Sequence, residues 1–313
     1  MSYTYLFPGQ GSQSIGMLAE LAGEHSEVSQ TFELGSELLK QDLWALATNG
    51  PEEDLNRTEN TQPIMLCASV ATWKIWEKQF SNPPSLMAGH SFGEYTALVC
   101  SGALDFEAAV PLARFRGEVM QQAVPEGQGA MAAVLGLDND KLAEVCVASS
   151  QGEIVEAVNF NAPGQVVIAG DASAVARAID AAKEAGAKRA VTLPLSVPSH
   201  SSLMKPAAEK LRDFLNDLTL KGPNVSVIHN ADVMSHDEQV GIKDALYQQL
   251  FNPVRWVETI QHIVSQGTQA FVELGPGKVL TGLSKRIDKS VPCYGVYDLK
   301  SLDQALEKAQ ELA

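Results

Sequence analysis

The pentapeptide Gly89-His90-Ser91-Phe92-Gly93 has the form G-x-S-x-G. It follows a predicted strand at Leu86–His90 and precedes a predicted helix at Gly93–Ser101 that Gly102 closes, the context a nucleophile elbow requires. Glycines on either side let the chain turn sharply and lift a serine hydroxyl above the sheet. The next amide, from Phe92, can then donate to an oxyanion. Ser91 is the candidate nucleophile, and a serine needs a base. Six histidines compete. His25 and His236 lie in polar, charged stretches, His262 lies within a predicted helix, and the elbow should turn His90 away from its neighbour. His200, on the loop Ser196-Val197-Pro198-Ser199-His200, and His229, at the end of a predicted strand, remain. Position favours His200 without excluding His229.

Two further motifs bear on the chemistry. Pro8-Gly9-Gln10-Gly11-Ser12-Gln13 follows the first predicted strand, Tyr3–Phe7. Its glycines miss the dinucleotide-binding spacing, but its amides can approach a developing negative charge. Arg114 and Arg116 share a predicted helix about 200° apart, so only one can face inward, and there it needs a carboxylate from the protein or a ligand. Gly275-Pro276-Gly277-Lys278 imitates a phosphate loop but lacks its full pattern and reads as a strand-to-helix turn.

Short apolar runs alternate with helical patterns over most of the chain, which predicts a mainly parallel sheet covered on both faces. Helices are expected over Thr61–Phe80 with Thr61 as N-cap, from Asp105 toward Gln122 with a kink or late start at Pro111, and over Ser202–Leu218, Val254–Ser265 and Leu299–Leu312. Strands are expected at Val225–His229 and Ala270–Leu274. One stretch breaks this rhythm. Ala130–Leu135, Asp138–Ala148, Ile154–Asn159, Gln165–Ala169, Ala172–Ala185 and Lys188–Leu193 read β-α-β-β-α-β, the ferredoxin-like order, with a turn at Asn161–Gly164. The expected fold is α/β: a hydrolase-like catalytic domain from 1–124 and 197–313, with an inserted ferredoxin-like α+β subdomain at 125–196.

Composition narrows the function. The 313 residues include 38 Asp or Glu against 23 Lys or Arg, a formal charge of −15, and 45% are apolar. Such acidity argues against nucleic-acid and anionic-membrane binding. Four scattered cysteines form no metal or disulfide framework, so no metal is expected. No signal peptide is read at the N-terminus, and no run approaches the ~18 apolar residues of a membrane span. A cytoplasmic protein is expected. An ordinary esterase is disfavoured because 113 residues follow His200, although His262 could serve that reading.

Together the blocks F-P-G-Q-G-S-Q (7–13), T-Q-P (61–63), A-G-H-S-F-G-E-Y (88–95), R-G-x-x-M (116–120), V-N-F-N-A-P-G-Q-V-V-I-A-G (158–170), S-V-P-S-H (196–200), N-P-V (252–254) and E-L-G-P-G-K-V-L (273–280) resemble the malonyl-CoA:acyl carrier protein transacylases of fatty-acid synthesis. The resemblance implies Ser91 as the acylated nucleophile, His200 as its base and Arg116 as the ligand of the malonyl carboxylate. It implies an oxyanion hole from the Gln10 and Phe92 amides. It orients the histidine with the Gln249 backbone carbonyl, and sets Asn159 and Asn161 on a loop bordering the cleft. The implied reaction is ping-pong: malonyl-CoA acylates the serine, and the phosphopantetheine thiol of acyl carrier protein takes the malonyl group. No cofactor is needed, since the coenzyme A thioester is a substrate, and a monomer is expected. Competing readings are a carboxylesterase or thioesterase, a transferase of another acyl group such as methylmalonyl, and a non-catalytic carrier-binding module.

Two residues depart from the family pattern. Phe92 stands where an aliphatic is common and could reshape the acyl pocket. His229 stands where a non-ionisable residue is expected and could compete as a base. Because acyl carrier proteins are themselves acidic, docking should rely on a local basic patch. Lys278, Lys285, Arg286 and Lys289 form one candidate, and Lys183, Lys188 and Arg189 a second.

Overall fold

The computed structural model describes residues 2–195 and 197–312. Ser196, the last residue of the predicted insertion, lies outside the described residues, as does Ala313. Two sheets organise the chain. In the first, β1 (Tyr3–Phe7), β2 (Leu86–Gly89), β7 (Val227–Ile228), β8 (Ala270–Leu274) and β9 (Cys293–Val296) run parallel in the order β7-β2-β1-β8-β9. Every residue of β1 and β8 is buried. That is why these strands read as nearly continuous apolar runs, interrupted by the buried Thr4 and Glu273, rather than alternating ones.

The second sheet contains β3 (Gly129–Leu135), β4 (Val155–Ala162), β5 (Gln165–Asp171) and β6 (Arg189–Thr192), antiparallel throughout in the order β4-β5-β3-β6. Helices Asn139–Ser150 and Ala172–Glu184 pack on it through a core that includes Val134, Leu142, Ile168 and Ile179. This is the strand order of a ferredoxin-like unit. Contacts with the segments around the first sheet hold it in place. Val254 exchanges backbone hydrogen bonds with β4, donating to Val158 O at 2.8 Å and accepting from Phe160 N at 3.0 Å. The Glu156 carboxylate accepts from Ser202 N and Oγ at 2.7 and 2.9 Å. Arg286 donates to Gln165 at 2.6 Å.

Several expected boundaries move, each for a local reason. The long helix begins at Thr58 rather than after Thr61, which lies inside it and donates its hydroxyl to Leu55 O at 2.6 Å. Asp105 precedes the helix Phe106–Ala123 but does not cap it with its side chain, which pairs with Lys221 at 3.0 Å. Pro111 neither delays nor interrupts that helix. Packing against the helix Thr58–Gln79 and the helix Lys205–Asp217 outweighs one lost backbone hydrogen bond. The helix expected from Ser202 splits into a 3₁₀ turn, Ser202–Met204, and the helix Lys205–Asp217. The strand expected over Val225–His229 is only Val227–Ile228. Asn161 and Ala162 belong to β4 rather than to a turn, because two register shifts near Asn159 and Phe160 let the strand continue.

Candidate active site

The elbow follows directly from β2. A Cβ on Gly89 would stand 1.9 Å from the backbone of Gly93, and one on Gly93 would stand 2.1 Å from Phe7 O. Only glycine permits strand, turn and following helix to approach this closely. Between them Ser91 takes φ = 52°, a left-handed conformation rare outside glycine. The helix Gly93–Cys100 starts here, so its amide-rich end faces the serine.

Ser91 Oγ lies 2.7 Å from His200 Nε2, and His200 Nδ1 lies 2.7 Å from the Gln249 carbonyl oxygen. A carbonyl only accepts, so the imidazole carries its proton on Nδ1 and presents Nε2 as the acceptor for the serine hydroxyl. His200 also has a left-handed backbone, φ = 66°, with its amide on Leu250 O at 3.0 Å. Burial first, and the Arg116 charge second, push its pKa down to about 3. The ring is therefore neutral at physiological pH, with the Nε2 lone pair free to accept the serine proton. His262 and His229 do not meet the serine. His90 turns away as expected, with Nε2 2.7 Å from Asn161 Oδ1 and its ring edge-on to Trp256.

Arg116 is the inward arginine, 1% exposed, while Arg114 points outward to Gln41. The guanidinium donates to Gln62 Oε1 at 2.9 Å and to Gln249 Oε1 at 3.0 Å. Its Nε is buried without a partner, and among the described residues it forms no salt bridge. Both hydrogen-bond partners are neutral amides, so the buried charge has no carboxylate in direct contact among the described residues. Burial lowers its pKa below the ordinary guanidinium value, yet an arginine this basic stays ionised. Phe92 stacks on Tyr95 with centroids 5.4 Å apart, and the guanidinium carbon lies 5.8 and 5.1 Å from their ring centres. The Phe92 side chain thus packs against the arginine.

The glycine-rich loop after β1 reaches the elbow through Gly9. A Cβ there would stand 2.4 Å from His90 O and 3.6 Å from Phe92 N, so the missing side chain brings the Gln10 segment beside the Phe92 amide. Gln10 fastens its own side chain to Thr58 Oγ1 at 3.3 Å. Gln249 adds a contact absent from the sequence reading: its Nε2 donates to Ser91 O at 3.0 Å. That carbonyl shares a trans peptide plane with the Phe92 N–H, which must point the opposite way. Gln249 thereby fixes His200, Arg116 and the peptide plane that carries the Phe92 amide.

Asn159 and Asn161 do not meet the Ser91–His200 pair. Asn161 holds His90, and Asn159 is buried with Oδ1 unpartnered among the described residues. Gln62 was legible only as part of T-Q-P, without a role. Asn230 was not singled out at all, yet its Oδ1 accepts from Ser91 N at 2.7 Å.

A hydrolase-like sheet with a serine elbow and an adjoining imidazole defines an enzyme of serine acyl chemistry, and the acyl transferase domain family model matches residues 4–300. A malonyl CoA-acyl carrier protein transacylase of Salmonella typhimurium is 51% identical over 97% of this chain and 98% of its own. One from Bacillus subtilis is 44% identical over 98% and 97%. Among solved structures, a malonyl-transacylase in complex with its type II PKS acyl-carrier protein superposes with a TM-score of 0.97, at 52% identity over 98% of this chain and 100% of that one. An acyl carrier protein S-malonyltransferase from Vibrio cholerae gives 0.94 at 52% identity over 97% and 100%. The chain belongs to the malonyl CoA-acyl carrier protein transacylase family.

Proposed function

We propose that the protein transfers the malonyl group from malonyl-CoA to the phosphopantetheine thiol of acyl carrier protein, supplying fatty-acid chain elongation. Ser91 Oγ attacks the thioester carbonyl as His200 Nε2 takes its proton. The Gln10 and Phe92 amides receive the tetrahedral oxyanion, and coenzyme A leaves as the imidazolium returns the proton to its sulfur. The carrier thiol then gives its proton to His200, attacks the malonyl-serine ester and regenerates the hydroxyl. No cofactor enters these steps. Gln249 orients His200 and Arg116, while Asn161 and Asn159 shape the wall on which His90 sits. We further propose that 125–196 is an inserted subdomain within a catalytic domain of 1–124 and 197–313. A cytoplasmic monomer is the proposed working form; among the described residues no helix is long and apolar enough to cross a membrane.

The observation that carries this reading is Arg116, a buried guanidinium whose hydrogen-bond acceptors among the described residues are the amide oxygens of Gln62 and Gln249, near the Ser91–His200 pair. A substrate carboxylate supplies the missing charge through two parallel hydrogen bonds. Acetyl-CoA leaves that charge unpaired, a penalty of several kcal/mol. The test is mass spectrometry after incubation with malonyl-CoA, which should find a malonyl adduct on Ser91 and none on Ser91→Ala. Arg116→Ala should lower the ratio of kcat/KM for malonyl-CoA over acetyl-CoA, and an unchanged ratio removes the arginine from the reading. Running the reaction with and without carrier protein separates transfer from thioester hydrolysis.

A further inference from the structure

The elbow has a second set of contacts that the transfer chemistry does not use. Asn230 is fully buried and holds both ends of the turn, accepting from Ser91 N at 2.7 Å and donating from Nδ2 to Gly89 O at 2.7 Å. Its own backbone amide donates to Glu94 Oε2 at 2.8 Å. Glu94 is fully buried, and its other oxygen lies 2.8 Å from His229 Nδ1. A carboxylate offers only acceptors, so His229 carries its proton on Nδ1 and donates. A left-handed serine is strained and persists only where its surroundings over-determine it. These contacts supply that restraint on the amino side of Ser91, as Gln249 does on the carboxyl side.

We propose that Asn230 is a positioning residue for the nucleophile, and that Glu94 and His229 act by fixing Asn230. Glu94 fills its two acceptor positions with one donor from each. What His229 contributes is therefore an N–H aimed at Glu94, not a base for Ser91. An asparagine at 229 would place its Nδ2 the same number of bonds from the backbone as His229 Nδ1. It can replace the histidine, whereas a leucine leaves a buried carboxylate oxygen unpaired.

The inference rests on Ser91 being the nucleophile, but its test does not require malonyl chemistry. A fluorophosphonate reacts with an activated serine as Oγ attacks phosphorus and fluoride leaves, so its second-order rate reads the elbow directly. Asn230→Ala should slow labelling about a hundredfold, the order of loss for a misplaced reacting group. In malonyl transfer kcat should fall comparably, with KM within about threefold, since binding contacts are untouched. His229→Asn should label at close to the parent rate, while His229→Leu should be slower by about tenfold. Parent-rate labelling of folded Asn230→Ala overturns the proposal, as does an equal loss in both His229 variants. If Asn230→Ala yields no soluble protein, the His229 pair decides alone. A parent protein that labels with the probe but takes no malonyl group would instead remove the malonyl reading and leave the comparison of elbow variants valid.

Discussion

The main-chain carbonyl of Gln249 accepts the Nδ1–H of His200 at 2.7 Å, in the place where a carboxylate orients the histidine of many serine hydrolases. A carboxylate beside His200 would add a second negative charge near the malonyl group. A carbonyl orients the ring without that repulsion, and no side-chain substitution removes it.

Gln249→Met should therefore separate the duties of this residue. The carbonyl and the orientation of His200 persist, but Arg116 loses one acceptor and Ser91 O loses its side-chain donor. We expect kcat/KM for malonyl-CoA to fall about 10- to 100-fold, the cost of losing one or two buried hydrogen bonds. Steady-state kinetics beside His200→Ala provide the scale. A loss as large as that of His200→Ala would mean that the side chain, not the carbonyl, orients the base.

The depressed pKa of His200 predicts an unusual acid limb. The neutral imidazole is the working form, fully populated above its pKa and lost as pH falls through it. With the folded value pushed to about 3, fluorophosphonate labelling of Ser91 should be flat from about pH 5 to 8, where an ordinary histidine would titrate near ~6.5. Arg116 contributes to the depression through its like charge, so Arg116→Ala should move the limb upward. A limb near 6.5 in the parent protein, or no shift in the variant, would contradict the electrostatic account.

Backbone oxyanion donors cannot be deleted, but one can be displaced. Gly9→Ala introduces a Cβ 2.4 Å from His90 O, too close for any real contact, and the obstacle is backbone rather than a flexible side chain. The loop carrying Gln10 must shift away from the Phe92 amide. The expected loss in kcat is about 10²–10³-fold, the range for one oxyanion-hole donor, with thermal stability reduced far less than activity. Parent-level turnover would mean that the Gln10 amide is not a donor to the oxyanion.

Much of this architecture was legible before any coordinates. The glycines of Gly89–Gly93 exposed the elbow because close approach leaves no room for a side chain, and alternation of strands and helices exposed the two sheets. Helical periodicity allowed only one of Arg114 and Arg116 to face inward, and the family resemblance pointed to Arg116. What stayed hidden was side-chain geometry across distant segments. Asn230 lies 139 residues from Ser91, and nothing local distinguishes a buried elbow brace from any asparagine after a strand. The place of His229 is hidden for the same reason: sequence shows an ionisable ring that could compete as a base, whereas its partner is Glu94 rather than the serine. Asn161 was assigned to a turn because Asn-Ala-Pro-Gly carries turn chemistry, yet β4 extends through it by bulging.

The last prediction concerns the carrier protein. Two basic clusters separated in sequence are linked through a short chain of contacts. Exposed Lys285 and Arg286 end the helix Val279–Ile287, and Arg286 reaches Gln165, the first residue of β5. Gly164, just before it, packs on Gly136, which in turn lies against the Lys188 side chain. Lys188 and Arg189 are exposed at that edge, whereas Lys183 is offset by Asp180 at 3.3 Å. A protein at −15 repels an acidic partner at long range, so an edge of this kind is where attraction can be recovered. Charge reversal of Lys285 and Arg286 together should raise KM for acyl carrier protein about tenfold at low ionic strength and progressively less as salt is added. KM for malonyl-CoA should stay within about twofold, because that half-reaction does not require docking of the carrier. Lys188→Glu should add to the effect if the clusters form one surface. Equal changes for both substrates, or an effect insensitive to salt, would place the carrier elsewhere on the molecule.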